Sequence, residues 1–148
     1  MDLGAGRRGV DMGPSAIRIG GIHSALVGMG IRVEDGGDVE VKIPEAADRG
    51  EQRQVFLEEI ARVCRTLADL VAETLEQDEF PLILGGDHSL AAGSISGTSA
   101  FFRNQNKRIG VIWVDAHADM NIPKSSPSGN VHGMPLASLI GVRPQRTE

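Results

Sequence analysis

Apolar positions along the chain follow two rhythms: steps of three and four residues, and short unbroken runs. The first rhythm opens at Pro14, a residue favoured at the first position of a helix. Ala16, Ile17, Ile19, Ile22 and Leu26 follow at roughly helical spacing, until Gly28 and Gly30 stop the helix. The strongest helix is predicted over 51–77, where Phe56, Ile60, Val63, Cys64, Leu67, Val71 and Leu75 form one apolar stripe between charged positions. Cys64 lies on that stripe and reads as core. A further helix is predicted from Ser89 to about Arg103, and a last one around Pro135–Ile140.

The second rhythm marks strands. Ile31-Arg32-Val33 predicts a short one, ending at Asp35–Asp38. PLILGG (81–86) and IGVIWV (109–114) are continuous apolar runs, which suits strands buried on both faces of a parallel sheet. Trp113 then reads as strand core. Residues 1–13 and 39–49 read as loops, and neither a repeat nor a linker divides the chain. Strand and helix alternate, which predicts an α/β fold with a parallel sheet. Ligands of such sheets bind beyond the carboxyl ends of the strands. Asp87-His88 and Asp115–Asp119 both fall at such ends.

Composition narrows the classes of function. The chain has 148 residues, of which 41% are hydrophobic and 24% charged, and its net charge is −5. These values suit one soluble domain with a real core. The acidic balance and the lack of a basic run argue against nucleic acid or an anionic membrane surface as partner. No run is long and apolar enough to span a bilayer, and the N-terminus lacks the apolar stretch of a secretory signal. A single cysteine excludes an internal disulfide, so the cytosol is the expected compartment.

Three stretches carry chemistry. In DAHAD, Asp115, His117 and Asp119 are spaced by two, so an extended chain directs all three to one face. Two carboxylates and an imidazole converging there either repel or gather a cation. Mixed oxygen and imidazole donors suit Mn2+, with Zn2+, Fe2+ or Co2+ as alternatives, and no nearby thiolate suggests structural zinc. A polar strand end with capping acids is the blander reading. GGDHS (85–89) alone needs only a tight turn with Asp87 or Ser89 capping a helix. Beside the first stretch, His88 becomes a candidate ligand. In the loop after Asp119, Asn121, Ser128 and Asn130 offer neutral groups that orient a carboxylate or amide, and His132 is a candidate proton carrier. Taken singly, these four read as a solvated loop.

GVDMGPSAIR, GGDHSLAAGS, DAHADMN and SGNVHGMP, in this order from residue 1 to about 141, resemble the ureohydrolase family and its arginase branch. The resemblance implies a three-layer α/β/α architecture around a central parallel sheet, with residues 1–148 one partial domain. It implies a hydrolase that converts L-arginine to L-ornithine and urea with two Mn2+ ions and the hydroxide they share. Carried over by position, His88 resembles a ligand of one Mn2+ and His117 a ligand of the other. Asp115 resembles the carboxylate bridging both, and Asp119 a ligand that also bonds the hydroxide. Asn121, Ser128 and Asn130 resemble the residues that hold the substrate α-carboxylate, and His132 the proton shuttle. The family also implies a trimer or hexamer for a full-length parent.

The chain departs from the family pattern. A later S-x-D-x-D stretch, which completes the family's metal site, has no counterpart: Asp119 is the last aspartate and only Glu148 follows it as an acid. The chain is therefore expected to be truncated at its C-terminus, and at its N-terminus too, since Met1 matches an internal methionine. That leaves a mitochondrial location open. At most one weakly held cation is expected on the isolated chain. Two alternatives stand beside arginase. One is a ureohydrolase acting on agmatine or guanidinobutyrate, which lack the α-carboxylate that the Asn/Ser loop would hold. The other is a catalytically inactive truncated product.

Overall fold

A computed structural model describes residues 1–42 and 52–142, with the side chains of the long helix described from Phe56 onward. Among the described residues five α-helices stand in chain order: α1 (Gly13–Ile19), α2 (Ile22–Gly28), α3 (Gln52–Glu76), α4 (Ala91–Asn104) and α5 (Pro135–Leu139). Single 3-10 turns precede α1, α4 and α5. No helix among the described residues is long and apolar enough to cross a membrane. The loop expected at 39–49 lies partly outside the described residues, as does the expected helix start at residue 51.

The stripe on α3 does what its spacing predicts. Ile60, Val63 and Val71 are buried, together with Ala91 at the start of α4 and Ala137 in α5. The α3–α4 contact is unusually close because small residues line it. A Cβ added to Gly93 would lie 2.6 Å from the carbonyl oxygen of Cys64, and one added to Gly97 would lie 2.3 Å from that of Ala68. No side-chain carbon fits there, so the two backbones are almost in contact. Cys64 is half-buried rather than fully core, and its thiol donates to the Ser89 carbonyl at 3.4 Å. Burial pushes that thiol above its usual pKa.

Two expectations are corrected. The single helix expected from Pro14 to Leu26 is two helices, because Gly21 takes φ +90°, a left-handed conformation that interrupts the ladder. Part of its apolar stripe is also uncovered, Ile17 being 40% and Ile19 87% exposed. The parallel sheet is not formed among the described residues: 31–33, 81–86 and 109–114 contain no strand. The reason is pairing. Among the described residues no backbone hydrogen bond joins any of these runs to another, and a strand exists only through a neighbour's N–H and C=O groups. Nor are the runs covered on both faces, for Leu82 is 55% exposed and Ile112 and Val114 are each 92% exposed.

Polar contacts fix the flanking loops. Arg18 donates to Asp35 at 2.8 Å and to Asp38 at 2.7 Å, pinning 35–38 against α1. Glu59 on α3 is buried; it accepts from Arg62 at 2.7 Å and from the Lys42 N–H at 2.9 Å. The Arg62 guanidinium is the main reason its carboxyl falls to about 2 from the usual 4.5; burial opposes the shift and the Lys42 N–H adds to it.

Two outcomes are expected. Gly97→Ala gains about 1 kcal/mol of helix propensity but must push the two helix backbones apart, an overpacking cost of about 1–3 kcal/mol, so urea denaturation should show a net loss of up to about 2 kcal/mol. Raised stability would mean that α3 and α4 do not pack so closely. The folded pKa of Glu59 lies below its unfolded value, so its contribution is complete above pH 4.5 and is lost as pH falls towards 2. Glu59→Gln should flatten the acid limb of a Tm-against-pH curve in that window and leave its slope near neutrality unchanged.

Candidate metal centre

The first donor comes from the turn before α4. Asp87 caps that turn, its carboxylate accepting from the Ser89 N–H at 2.9 Å, and so fixes His88 one residue beyond the cap. Of the two residues that could cap here, Asp87 is the one that does. Packing of Gly93 and Gly97 against α3 then holds the turn's position.

The other donors follow the apolar run 109–114. Asp119 has φ +49°, in the left-handed region that aspartate tolerates better than most residues. Its carbonyl accepts from the Leu136 N–H at 3.1 Å and the Ala137 N–H at 3.3 Å, two N–H groups that the first turn of α5 cannot satisfy internally. The conformation that turns the backbone towards α5 also buries the Asp119 side chain.

His88 Nδ1 lies 2.8 Å from Asp115 Oδ2 and 2.8 Å from Asp119 Oδ2. One donor atom from each of the three residues falls within 4.8 Å of the others. Two carboxylates meeting at one imidazole nitrogen repel each other unless a proton or a cation lies between them. The mixed donor set fits a divalent cation such as Mn2+, and the geometry leaves the choice among such cations open. His117 stands outside this group. Its side chain is 83% exposed and its Nδ1 is 3.6 Å from Asp115 Oδ1. Its backbone N–H donates to that same oxygen at 2.9 Å and is the main cause of an Asp115 carboxyl held below its ordinary pKa, with His88 adding to the effect. Asp115 thus turns one oxygen to His88 and the other to His117.

The loop residues divide into two sets. Asn121 and Ser128 are exposed and engaged locally: Asn121 Oδ1 accepts from Ser125 Oγ at 3.1 Å, and Ser128 Oγ accepts from the Asn130 N–H at 3.2 Å. Asn130 and His132 instead face the N-terminal segment. A Cβ on Gly6 would lie 2.9 Å from Asn130 Nδ2, and the His132 N–H donates to the Gly4 carbonyl at 3.1 Å.

Two features were not foreseen. Trp113 is not strand core; its ring stacks on His88 with centroids 4.5 Å apart and planes 24° apart. Its indole N–H is buried without a hydrogen-bond partner among the described residues, so contact with the imidazole is what the ring gains there. The signal was present in the sequence, because Trp113 shares parity with Asp115 and an extended chain puts both on one face. The other feature is Asp2, 3% exposed, which accepts from Arg8 Nε at 2.8 Å and the Gly9 N–H at 3.0 Å and closes the N-terminal loop on itself. Burial pushes its carboxyl up, but these two donors outweigh burial and hold it below the ordinary value. Nothing in the spacing of DLGAGRRG announces that closure.

Comparison with known proteins gives one consistent result. The model of the Arginase family matches residues 1–147. The arginase of Brevibacillus brevis is 47% identical over 146 residues, covering 99% of this chain and 47% of that protein. The arginase of Bacillus subtilis strain 168 is 46% identical over 142 residues, covering 96% and 46%. Among solved structures, arginase from Bacillus caldovelox at pH 5.6 superposes with a TM-score of 0.84 at 44% identity, over 97% of this chain and 48% of that one. Arginase from Bacillus subtilis superposes with a TM-score of 0.82 at 43% identity, over 98% and 45%. The chain spans about half the length of the curated relatives it matches.

The sole tryptophan, stacked on His88, reports on the cluster. Titration with Mn2+ should quench Trp113 fluorescence with one-site stoichiometry. Asp119→Asn keeps a residue that tolerates positive φ but removes the charge, and should weaken binding by at least about 100-fold, since even partners that only orient a ligand are worth 10–100-fold. Two tight sites, or wild-type quenching in Asp119→Asn, would refute this geometry for the cation.

Proposed function

The chain belongs to the arginase family, and on that premise we propose that it carries a portion of an arginase-type site hydrolysing L-arginine to L-ornithine and urea. The observation that carries this reading is the meeting of His88, Asp115 and Asp119 within 4.8 Å. In this reading the apolar runs 81–86 and 109–114 belong to the central parallel sheet of a three-layer α/β/α fold. The relatives' remaining length supplies what pairs with them. The complete protein assembles as a trimer or hexamer.

When bound, a pair of Mn2+ ions supplies acidified water and a positive field at the guanidinium. His88 would hold one ion and His117 the other. Asp115, with its oxygens turned to both histidines, would serve both ions, and Asp119 would complete the first. The formal charges on this chain's donors, two negative against four positive, balance one dication. The isolated chain therefore holds at most one ion, weakly.

The remaining roles fall to the loop. Asn121, Ser128 and Asn130 offer neutral N–H and O–H donors, which fit a substrate α-carboxylate without a competing charge. Local turns already constrain Asn121 and Ser128, so less ordering remains to be done on binding. The Asp119 carboxylate would hand the departing ornithine amine its proton, and His132 would shuttle protons for the site. A substrate without an α-carboxylate, such as agmatine, forgoes its hydrogen bonds to these loop donors, each worth about 1.5–3 kcal/mol to a charged group. The preference for arginine rests on that difference.

A hybrid tests the assignment. This chain, replacing the matching 146 residues of the Brevibacillus brevis arginase, should release urea from L-arginine in preference to agmatine and lose that activity on Asp115→Ala. Asn130→Asp should lower kcat/KM for arginine at least about tenfold through the lost hydrogen bond and the like charge it introduces. A folded, Mn2+-loaded hybrid that prefers agmatine would overturn the roles of Ser128 and Asn130. One with no activity at all would favour an inactive product.

A further inference from the structure

Asp87 has a second set of contacts that capping does not explain. It is 5% exposed, and its two oxygens face different segments. Oδ1 accepts from the Ser89 N–H at 2.9 Å and from Ser89 Oγ. Oδ2 accepts from the Gly4 N–H at 2.9 Å, across 83 residues of sequence. The peptide continues the chain of contacts: the Gly4 carbonyl accepts from the His132 N–H at 3.1 Å. Gly4 is wedged between the two, so that an added Cβ would lie 2.9 Å from Asp87 Oδ1, 3.0 Å from Ser89 Oγ and 3.2 Å from the His132 nitrogen. The Asp87 N–H also donates to the Met1 carbonyl at 2.9 Å, holding the same segment from its other side.

The geometry points to Asp87 as a positioning residue that couples the cation cluster to the proton-carrying loop through the Gly4 peptide. One oxygen sets the turn that presents His88, and the other holds the peptide on which the backbone of His132 rests. A carboxylate does both because it only accepts, with two oxygens to offer three donors. A carboxamide of the same shape cannot. If its oxygen keeps Ser89, its NH2 group faces the Gly4 N–H, donor against donor. The consequence is specific: losing one acceptor should release His132 while His88 and its neighbours still bind a cation. The role assigned to His132 rests on the function proposed above; the mechanical link does not.

Amide hydrogen exchange and Mn2+ binding on the whole chain separate the link from general stability. In Asp87→Asn the Gly4 and His132 amides should exchange at least about tenfold faster, with Mn2+ affinity within about threefold of the parent. In Ser89→Ala, which removes a donor but no acceptor, Tm should fall with those two amides unchanged. If Asp87→Asn does not fold, Gly4→Ala takes its place; its methyl pushes the peptide from Asp87 with the carboxylate intact, and the His132 amide should again lose protection. Parental protection of His132 in the variant that folds, or equal acceleration in Ser89→Ala, would overturn the coupling. In the hybrid, Asp87→Asn should lower kcat with KM unchanged. An inactive parental hybrid would count against the proposed function alone, since the exchange result decides the coupling without it.

Discussion

The near-contact of α3 and α4 is the constraint on which the rest depends. With no side chains at Gly93 and Gly97, the backbone of α4 rests on that of α3 at Cys64 and Ala68. Dispersion and burial then act over a short distance, and the first turn of α4 has little freedom to slide. The thiol contact from Cys64 to the Ser89 carbonyl adds a directional tie at the same level. His88 sits one residue before that tied serine, so the packing of two helices becomes the placement of one imidazole. The stability of the helix pair and the geometry of the cluster are therefore one quantity.

Charge is arranged around that fixed point in two ways. Asp2 and Asp87 are buried with their donors supplied, by Arg8 and the Gly9 N–H in one case and by Ser89 and the Gly4 N–H in the other. They are satisfied acids that hold loops in place. Asp115 and Asp119 are arranged differently, each turning an oxygen to the same imidazole nitrogen. One N–H cannot satisfy two carboxylates fully, whereas a dication can. The contrast between acids that are finished and acids that are left demanding marks the cluster more clearly than its residue types do.

How much of this was legible depended on range. The helices α3, α4 and α5 could be read because their signals, an apolar stripe, a capped turn and a proline start, are local. The break at Gly20-Gly21 was local too, but the helical spacing of Ile17, Ile19 and Ile22 outweighed it, although Ile17 and Ile19 stand exposed. The sheet was not realised among the described residues because a strand is a relation between segments, and apolar composition specifies only willingness to pair. In the cluster, the spacing of two in an extended chain grouped Asp115, His117 and Asp119. The chain bends at 115–117, however, and Asp119 takes a positive φ, so the two carboxylates meet at His88 while His117 turns out to solvent. The links from Asp87 to Gly4 and from Gly4 to His132 were invisible because three of their four partners are backbone groups, which every residue carries.

The exposed apolar face and the donor cluster lie on one stretch of chain. Ile112 and Val114 stand uncovered immediately before Asp115, on the run that delivers two of the three clustered donors. A run that no other element covers has less burial to hold it in place, so a cation that binds at its end bears more of the cost of fixing it, which subtracts from affinity. Whatever element covers Ile112 and Val114 does two things at once: it buries apolar area, and it relieves the cation of that ordering cost. Cation binding and the covering of that run must then be thermodynamically coupled, each strengthening the other by the same free energy. Metal affinity on this chain is thus as much a measure of what covers residues 109–114 as of the ligands that follow them.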